Sequence, residues 1–543
     1  MARYSVDRVL GDRPFAQIGR PSVAERSDDH GVVVVGGSLG ALQWQGRDAG
    51  AVRRYRIGVF DLVGLRCRAL ADSRWPVNAV ALHPELPLAA VGTGCYDGGY
   101  SFEGELLLVD LATGESVPLL EGCREVRSVR WRDARVLEAV LAPYDDYEDD
   151  AAHRVGHAVA IACEDWTAAR PRMVPPGRQT GPRVPCARPE EGPAAEALLA
   201  ALCSAHGEEW TPRRQVWAVE VLPDGRTVAV LDGVRAECRL PSGEVQWSLP
   251  DPDGGRQLLL APDRRSAWVT TPRRARWLPG EGWRARPALV ERLSLEDGRT
   301  LAAVEPAAPA VLAASRDGRL AARDSDHGEK SPRVRLLAPD SGAELDSLGV
   351  GRYDLFNHWF DVRDCPELLF LVGGGRHGVA GKEVAALDPE RRRMRLLFPL
   401  EWDRTRRGHL FGGPGVHLDE DGGGAALVHA GAVHDGAGLL PGNAFVVRRR
   451  LPDGEATWVF TADRHVLAVA ADPEHVYAGI ADGELVVLDR HDGSVRHRGR
   501  LTVDGLPVVP LSLAAPGGGR LLVGTTDGRI LDGRILDGPL GSE

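Results

Sequence analysis

A two-part unit recurs along this chain at intervals of a few tens of residues. Each unit closes on an apolar run, a short polar turn with glycine, and a second extended run. Examples are LLLVDLATGE (106–115), LVERLSLEDGR (289–299), VRLLAPDSGAE (334–344), FVVRRRLPDGE (445–455) and LVVLDRHDGS (485–494). An apolar strand precedes most of them, such as LAAVGTG (88–94), TVAVLDG (227–233), VYAGIADG (476–483) or LLVGTTDG (521–528). Strand-only units of about 40 to 45 residues are the size of propeller blades. The expected fold is therefore all-β, a β-propeller of four-stranded antiparallel blades.

Reading each unit as strands a–b–c–d gives about ten units, with c–d turns near Gly64, Gly114, Asp165, Gly243, Gly298, Gly342, Glu390, Gly454, Gly493 and Gly533. One large ring and two unequal arrays both remain open. The last unit stops after RILDGRIL (529–536), and ARYSVDRVL (2–10) precedes the first complete unit. A strand exchanged between the termini would close the sheet edge. Residues 1–165 are read as units 1–3 with this closing strand, and 216–543 as units 4–10. Residues 166–215 interrupt the repeat. They open with the Pro/Arg-rich WTAARPRMVPPGRQTGPRVP and continue into EEGPAAEALLAALCSAHGEE (190–209). Ala194, Leu198, Leu199, Leu202 and Cys203 recur there at helical spacing, which predicts one short helical insertion.

The apolar c strands and their polar turns resemble the WD40-like and quinoprotein-like β-propeller repeat superfamily. Val109-Asp110, Leu387-Asp388 and Leu488-Asp489 stand where that superfamily carries its Trp-Asp pair. The resemblance implies a scaffold that binds partners, with enzymes as a minority.

Composition narrows the field further. The net charge of −11 disfavours general nucleic-acid binding. Of 66 basic residues only Lys330 and Lys382 are lysine, which reads as high-GC, bacterial coding. The eight cysteines include no C-x-x-C pair, so no zinc knuckle or redox motif is expected, and a reducing cytoplasm fits. No secretory h-region or membrane span is read from the sequence.

In a four-stranded meander the b–c and d–a connections share one face. The long connections are nearly all b–c: 38–53, 94–104, 144–156, 274–284, 324–332, 373–382 and 431–443. Insertions gathered on one face mark a binding face. Loops 94–105 and 431–443 both place a Gly seven residues after the Asp of an Asp-Gly pair, Asp97 to Gly104 and Asp435 to Gly442. They present Tyr96, Tyr100, Phe102 and His434. The loop 272–286 interleaves Arg276 and Arg284 with Trp277 and Trp283, which suit a protein interface. His377 lies in another such loop, and YDDYEDD (144–150) is an acidic one.

Two catalytic patterns lack their structural context. GGSLG (36–40) matches G-x-S-x-G around Ser38, but no helix follows it. GGGRHG (373–378) matches G-x-G-x-x-G, but Pro389 cuts short any helix after it. The leading expectation is a non-enzymatic scaffold that binds a protein partner, with no cofactor and no metal. The alternative is a propeller hydrolase or lyase with a His/Asp site at the central channel mouth. The inner strands VNAVALHP (77–84), VWAVEVLP (216–223) and VLAVAADP (466–473) are mostly apolar, which favours the scaffold.

Overall fold

The computed structural model describes residues 3–40, 43–44, 47–48, 55–147, 149–187, 192–273, 276–278, 282–284, 288–306, 310–324, 333–349, 359–373, 381–400, 409–420, 423–435 and 438–536. Strand dominates, and the chain is an all-β propeller protein built from antiparallel sheets with one α-helix among the described residues. It divides into two compact units. One comprises Met1–Gly11, Leu42–Val52 and Gln215–Glu543, the other Asp12–Ala41 and Arg53–Arg214.

Among the described residues the larger unit contains seven sheets of three or more strands, here numbered blades 1 to 7. Blade 1 is Arg214–Val221, Thr227–Arg239 and Val245–Asp251. Blade 2 spans 257–304, blade 3 310–349, blade 4 369–399, blade 5 414–462 and blade 6 466–500. Blade 7 is Pro510–Gly517, Arg520–Thr525 and Ile530–Leu536, with Arg3–Leu10 as its outer strand. The outer strand runs antiparallel to its neighbour, from Arg3 opposite Leu536 to Leu10 opposite Ile530. Tyr4 and Leu10 are buried there, and Arg8 Nη2 lies 2.7 Å from Asp532 Oδ2.

Strand alternation gives each sheet two apolar faces, so each sheet needs a neighbour on both sides. The cores form a cycle. Val228 and Val230 pack on Leu258 and Val269 between blades 1 and 2. Trp268 meets Leu312 and Leu320 between blades 2 and 3. Val311 and Val334 meet Phe370 in the next interface, and Leu371 and Val384 meet Leu427 and Phe445 in the one after. Val428 meets Val476 between blades 5 and 6, and Tyr477 and Val487 meet Leu521 and Tyr4 between blades 6 and 7. Leu522 and Ile530 of blade 7 then pack on Val216 and Leu231 of blade 1. Seven interfaces for seven sheets make a closed ring.

Adjacent blades are also pinned at their turns. The indole N–H of Trp458, on the last strand of blade 5, donates to Arg490 O of blade 6 at 3.1 Å. The ring lies under Gly493, whose φ is +73° and where a Cβ would sit 2.7 Å from Trp458 Cγ. Trp247 repeats this between blades 1 and 2 with Leu295 O and Gly298. Glycine serves twice here, for the left-handed turn and for the close approach.

Blade 4 departs from the pattern. The segment at the place of its inner strand, Asp361–Arg363, instead runs parallel to Pro414–Asp419 of blade 5. Blade 4 keeps three strands, Leu369–Gly373, Lys382–Asp388 and Arg393–Pro399.

The smaller unit stacks three sheets. The first is Arg20–Ser27, Val32–Ser38, Tyr55–Asp61 and Cys67–Ser73, and the second Val77–Leu82, Leu88–Thr93, Leu106–Asp110 and Ser116–Pro118. The third is Val126–Asp133, Val136–Leu141, Val155–Ala162 and Arg183–Pro185. A short part of the segment read as an insertion joins this third sheet. Trp166 is buried against Trp131 with ring centroids 4.9 Å apart, and Arg183–Pro185 supplies the fourth strand. The helix is Pro193–Ala205, started by Pro193 in its first turn. Its Leu199, Leu202 and Cys203 cover Val33, Val35 and Phe60 of the first sheet.

Candidate partner-binding surface

In the smaller unit two b–c connections zip together. The hairpin Cys95–Tyr96 and Phe102–Glu103 extends the second sheet, and the acidic loop 144–153 belongs to the third. Phe102 N donates to Tyr144 O at 3.1 Å, Asp146 N donates to Tyr100 O at 3.0 Å, and Ser101 bridges to Asp145. The acidic run is therefore a built loop rather than a loose solvated one.

Asp146 is its pivot. The Tyr96 hydroxyl lies 2.9 Å from Asp146 Oδ2 and 2.7 Å from Gly99 O. His153 Nε2 lies 3.1 Å from the same carboxylate oxygen. The Tyr96 hydroxyl first, and His153 after it, hold the Asp146 carboxyl below the usual carboxylate range, so it stays ionised. The same hydrogen bond pushes the Tyr96 phenol up. Asp97 accepts from Gly99 N and Ser101 N at 2.7 and 3.0 Å, which lowers its pKa and fixes the hairpin tip. Arg183 ties Asp149 down at 2.7 Å.

This frame leaves three aromatic rings in solvent. Tyr100 is 64% exposed, Tyr144 47% and Tyr147 67%. Tyr100 and Tyr147 meet edge to face at 6.1 Å, and the Arg124 guanidinium lies 4.2 Å over the Tyr144 ring. Asp97, Asp145 and Asp150 are exposed beside them.

The sequence-predicted anchors divide accordingly. Tyr100 is exposed, as an anchor must be. Tyr96 is half-buried and supports the loop. Phe102 is not an exposed anchor: it is 1% exposed, packed on Ala142 and Ala152 and edge-on to His153 at 5.0 Å. Strand alternation turns it inward at the hairpin base, under the Arg127 guanidinium 5.0 Å away. Tyr144 and Tyr147 lay unread inside the acidic run, where their alternation with Asp was the available signal.

In the larger unit, the backbone of 276–278 pairs with 282–284 and sets Trp277 opposite Trp283. The side chains of Arg276, Trp277, Trp283 and Arg284 lie outside the described residues, as does His377. In the 431–443 connection the described residues continue the ladder of Ala425–Asp435 with Gly438–Leu451, whereas 94–105 forms the separate short hairpin of Cys95–Tyr96 with Phe102–Glu103. His434 is half-buried there, its Nε2 3.1 Å from His465 Nε2 and its ring 4.3 Å from Phe411.

The ring axis is occupied. Arg363 of the displaced strand reaches three inner strands: its Nη1 lies 3.0 Å from Glu220 Oε1, and its Nη2 donates to Val469 O and Leu513 O at 2.9 and 2.8 Å. Burial raises the Glu220 carboxyl, opposed by the Arg363 charge. Burial works against the Arg363 cation too, but the carboxylates of Glu220, Asp364 and Asp361 outweigh it. Arg363 thus spends its donors holding blades 1, 6 and 7 together. Ser38 ends a strand, with its Oγ accepting from Gly40 N at 3.0 Å, and among the described residues no helix follows before the next strand, Tyr55–Asp61. Among the described residues no group of three or more His, Cys, Asp or Glu could hold a metal ion, and no helix is long and apolar enough to cross a membrane.

No family model matches the chain, and no curated protein matches it significantly. Among solved structures it is similar to the crystal structure of BamB from Moraxella catarrhalis, at 14% identity. That match covers 59% of this chain and 83% of that one, with a TM-score of 0.33.

Proposed function

We propose that this chain is a non-enzymatic β-propeller scaffold that binds a protein partner through its b–c loops. The carrying observation is the zipped pair of loops that holds Tyr100, Tyr144 and Tyr147 in solvent on a rigid, hydrogen-bonded frame. Exposed tyrosines supply large contact area at small entropic cost. The surrounding carboxylates favour a partner with a basic contact patch, and such charges act chiefly on the association rate. The occupied ring axis supports a structural core over a channel enzyme. Eight scattered cysteines with no C-x-x-C pair support a cytoplasmic setting.

The test begins with chemical cross-linking in native extract to identify the partner, followed by purified binding measurements. Tyr100→Ala and Tyr147→Ala should each weaken binding by about thirtyfold, near 2 kcal/mol, with the melting temperature unchanged. Wild-type affinity in both variants would sink the assignment of this surface.

A further inference from the structure

Among the described residues five arginines are fully buried: Arg56, Arg124, Arg127, Arg323 and Arg529. A guanidinium keeps its charge inside a protein and carries five N–H donors. Four of the five meet that demand within the chain. Arg124 donates to Ala142 O and Gln179 O, and Arg56 to Gln17 O. Arg127 pairs with Glu125, and Arg529 with Asp527. Arg323 is the exception. It is 1% exposed, and its Nε, Nη1 and Nη2 all lack a hydrogen-bond partner among the described residues. It stands near the end of the second strand of blade 3, Leu320–Asp324, opposite Val311 on one side and Val334 on the other. Strand alternation puts it on the same face as Ala321, the face that packs on blade 4. The side chains clustered there are apolar: Val311, Val334 and Leu348 meet Phe370, Val372 and Ala385. The Arg323 guanidinium carbon lies 5.4 Å over the Phe370 ring. A ring face attracts a cation but cannot take up five N–H groups. A charge out of water with no partner is among the most costly arrangements a fold can hold.

We propose that Arg323 anchors a carboxylate-binding site between blades 3 and 4, whose occupant is a small organic monocarboxylate with an apolar body. The planar fork of a guanidinium matches a carboxylate through two parallel N–H···O bonds. One cation neutralises one carboxylate, so the pair adds no net charge to an apolar interface. A phosphate dianion would leave a net negative charge there. Phe370 and the valines around Arg323 suit the apolar body of such a ligand rather than a bare inorganic ion. The sheet across the interface is blade 4, whose inner-strand segment has joined blade 5 instead. Arg323 lies where the second strand of its blade ends, on the b–c side of the ring, and the ligand enters from that side. The site lies in the larger unit and does not depend on the tyrosine surface of the other unit.

The full-length chain, dialysed free of carboxylates, is titrated by calorimetry with benzoate, hexanoate, acetate and phosphate. Benzoate or hexanoate should bind at one site with submillimolar affinity, and acetate and phosphate should bind more weakly. Arg323→Met keeps the apolar stem and removes the charge. It should weaken binding by at least about thirtyfold, the loss expected when one partner of a buried charge pair is removed. Arg323→Lys keeps the charge and loses the fork, and should weaken binding by at least about tenfold. Without ligand, Arg323→Met should show a higher urea midpoint than the wild type, because an unpartnered buried cation gives way to an apolar side chain. A lower midpoint, or an Arg323→Met chain that fails to fold, overturns the proposal, since that is what the loss of an ion pair within the chain produces. A wild-type chain that binds neither benzoate nor hexanoate overturns it as well. So does phosphate binding as tight as benzoate, or benzoate affinity unchanged in Arg323→Lys.

Discussion

His429 should make this ring acid-labile, and the amount follows from its contacts. It sits on the second strand of blade 5, fully buried against Phe360 and Phe445 with ring centroids 5.3 and 6.1 Å away. Arg449 Nε donates to His429 Nε2 at 3.2 Å, and His429 Nδ1 lies 3.2 Å from Ala430 O. One nitrogen accepts and the other donates, which defines a neutral imidazole. Arg449 cannot yield, because its remaining donors bind Gly454 O and Leu400 O at 2.8 Å. Burial first, and the Arg449 charge second, lower the His429 pKa to about 3. In the unfolded chain the value is about 6.5. Between those values the unfolded state binds a proton that the folded state refuses, so stability rises with pH. The contribution is complete above about pH 6.5 and is lost as pH falls toward 3. By linkage, this one group should cost about 2 kcal/mol on going from pH 7 to pH 5. The assay is the urea midpoint of the larger unit at pH 7, 6 and 5, for the wild type and for His429→Gln. Glutamine can still present an acceptor to Arg449 and does not titrate. The variant should therefore lose about 2 kcal/mol less than the wild type over that range, while every other titrating group cancels. Parallel pH profiles for the two proteins would refute the reasoning.

Two further outcomes test the architecture. Trp458→Ala removes a buried indole that bridges blades 5 and 6, and should cost about 3–5 kcal/mol by urea unfolding; a loss under 1 kcal/mol would mean the turn contact does not hold the blades. Deleting residues 1–11 removes the buried Tyr4 and Leu10, whose single truncations to alanine are each worth about 2–5 kcal/mol, and bares the edge of Ile530–Leu536. Size-exclusion chromatography should then show oligomers or aggregates, and a monomer of unchanged urea midpoint would refute the latch.

The strands were legible because their alternation is local, and so was the helix, whose apolar positions recur within 13 residues. The division of ten sheets into a ring of seven and a stack of three was not. The units on either side of the boundary carry the same turns, and closure depends on Leu522 meeting Val216 some 300 residues away in sequence. Asp361–Arg363 reads like any inner strand, and only the reach of Arg363 to Glu220, Val469 and Leu513 shows why it left blade 4. Phe102 looked exposed because its loop is rich in glycine; the inward turn comes from pairing with 144–146, which is a long-range contact. His434 and His465 stand 31 residues apart, with nothing local to link them.

The same chain solves one physical problem in two ways. A propeller sheet has two apolar faces, and its last strand has an unpaired edge. The seven-sheet unit removes both liabilities by cyclic packing and by the strand Arg3–Leu10. Three sheets cannot close in this way, so the smaller unit must end its stack as linear repeat arrays do, with capped or polar terminal faces. Its first sheet carries the helix Pro193–Ala205 over Val33, Val35 and Phe60. Its third sheet turns Arg130, Arg132 and Glu138 outward, with Arg130 and Arg132 both paired to Glu138. The helix and the charged face thus cover the ends of a three-sheet stack. Those three sheets carry the loops with Tyr100, Tyr144 and Tyr147, the surface proposed above for partner binding.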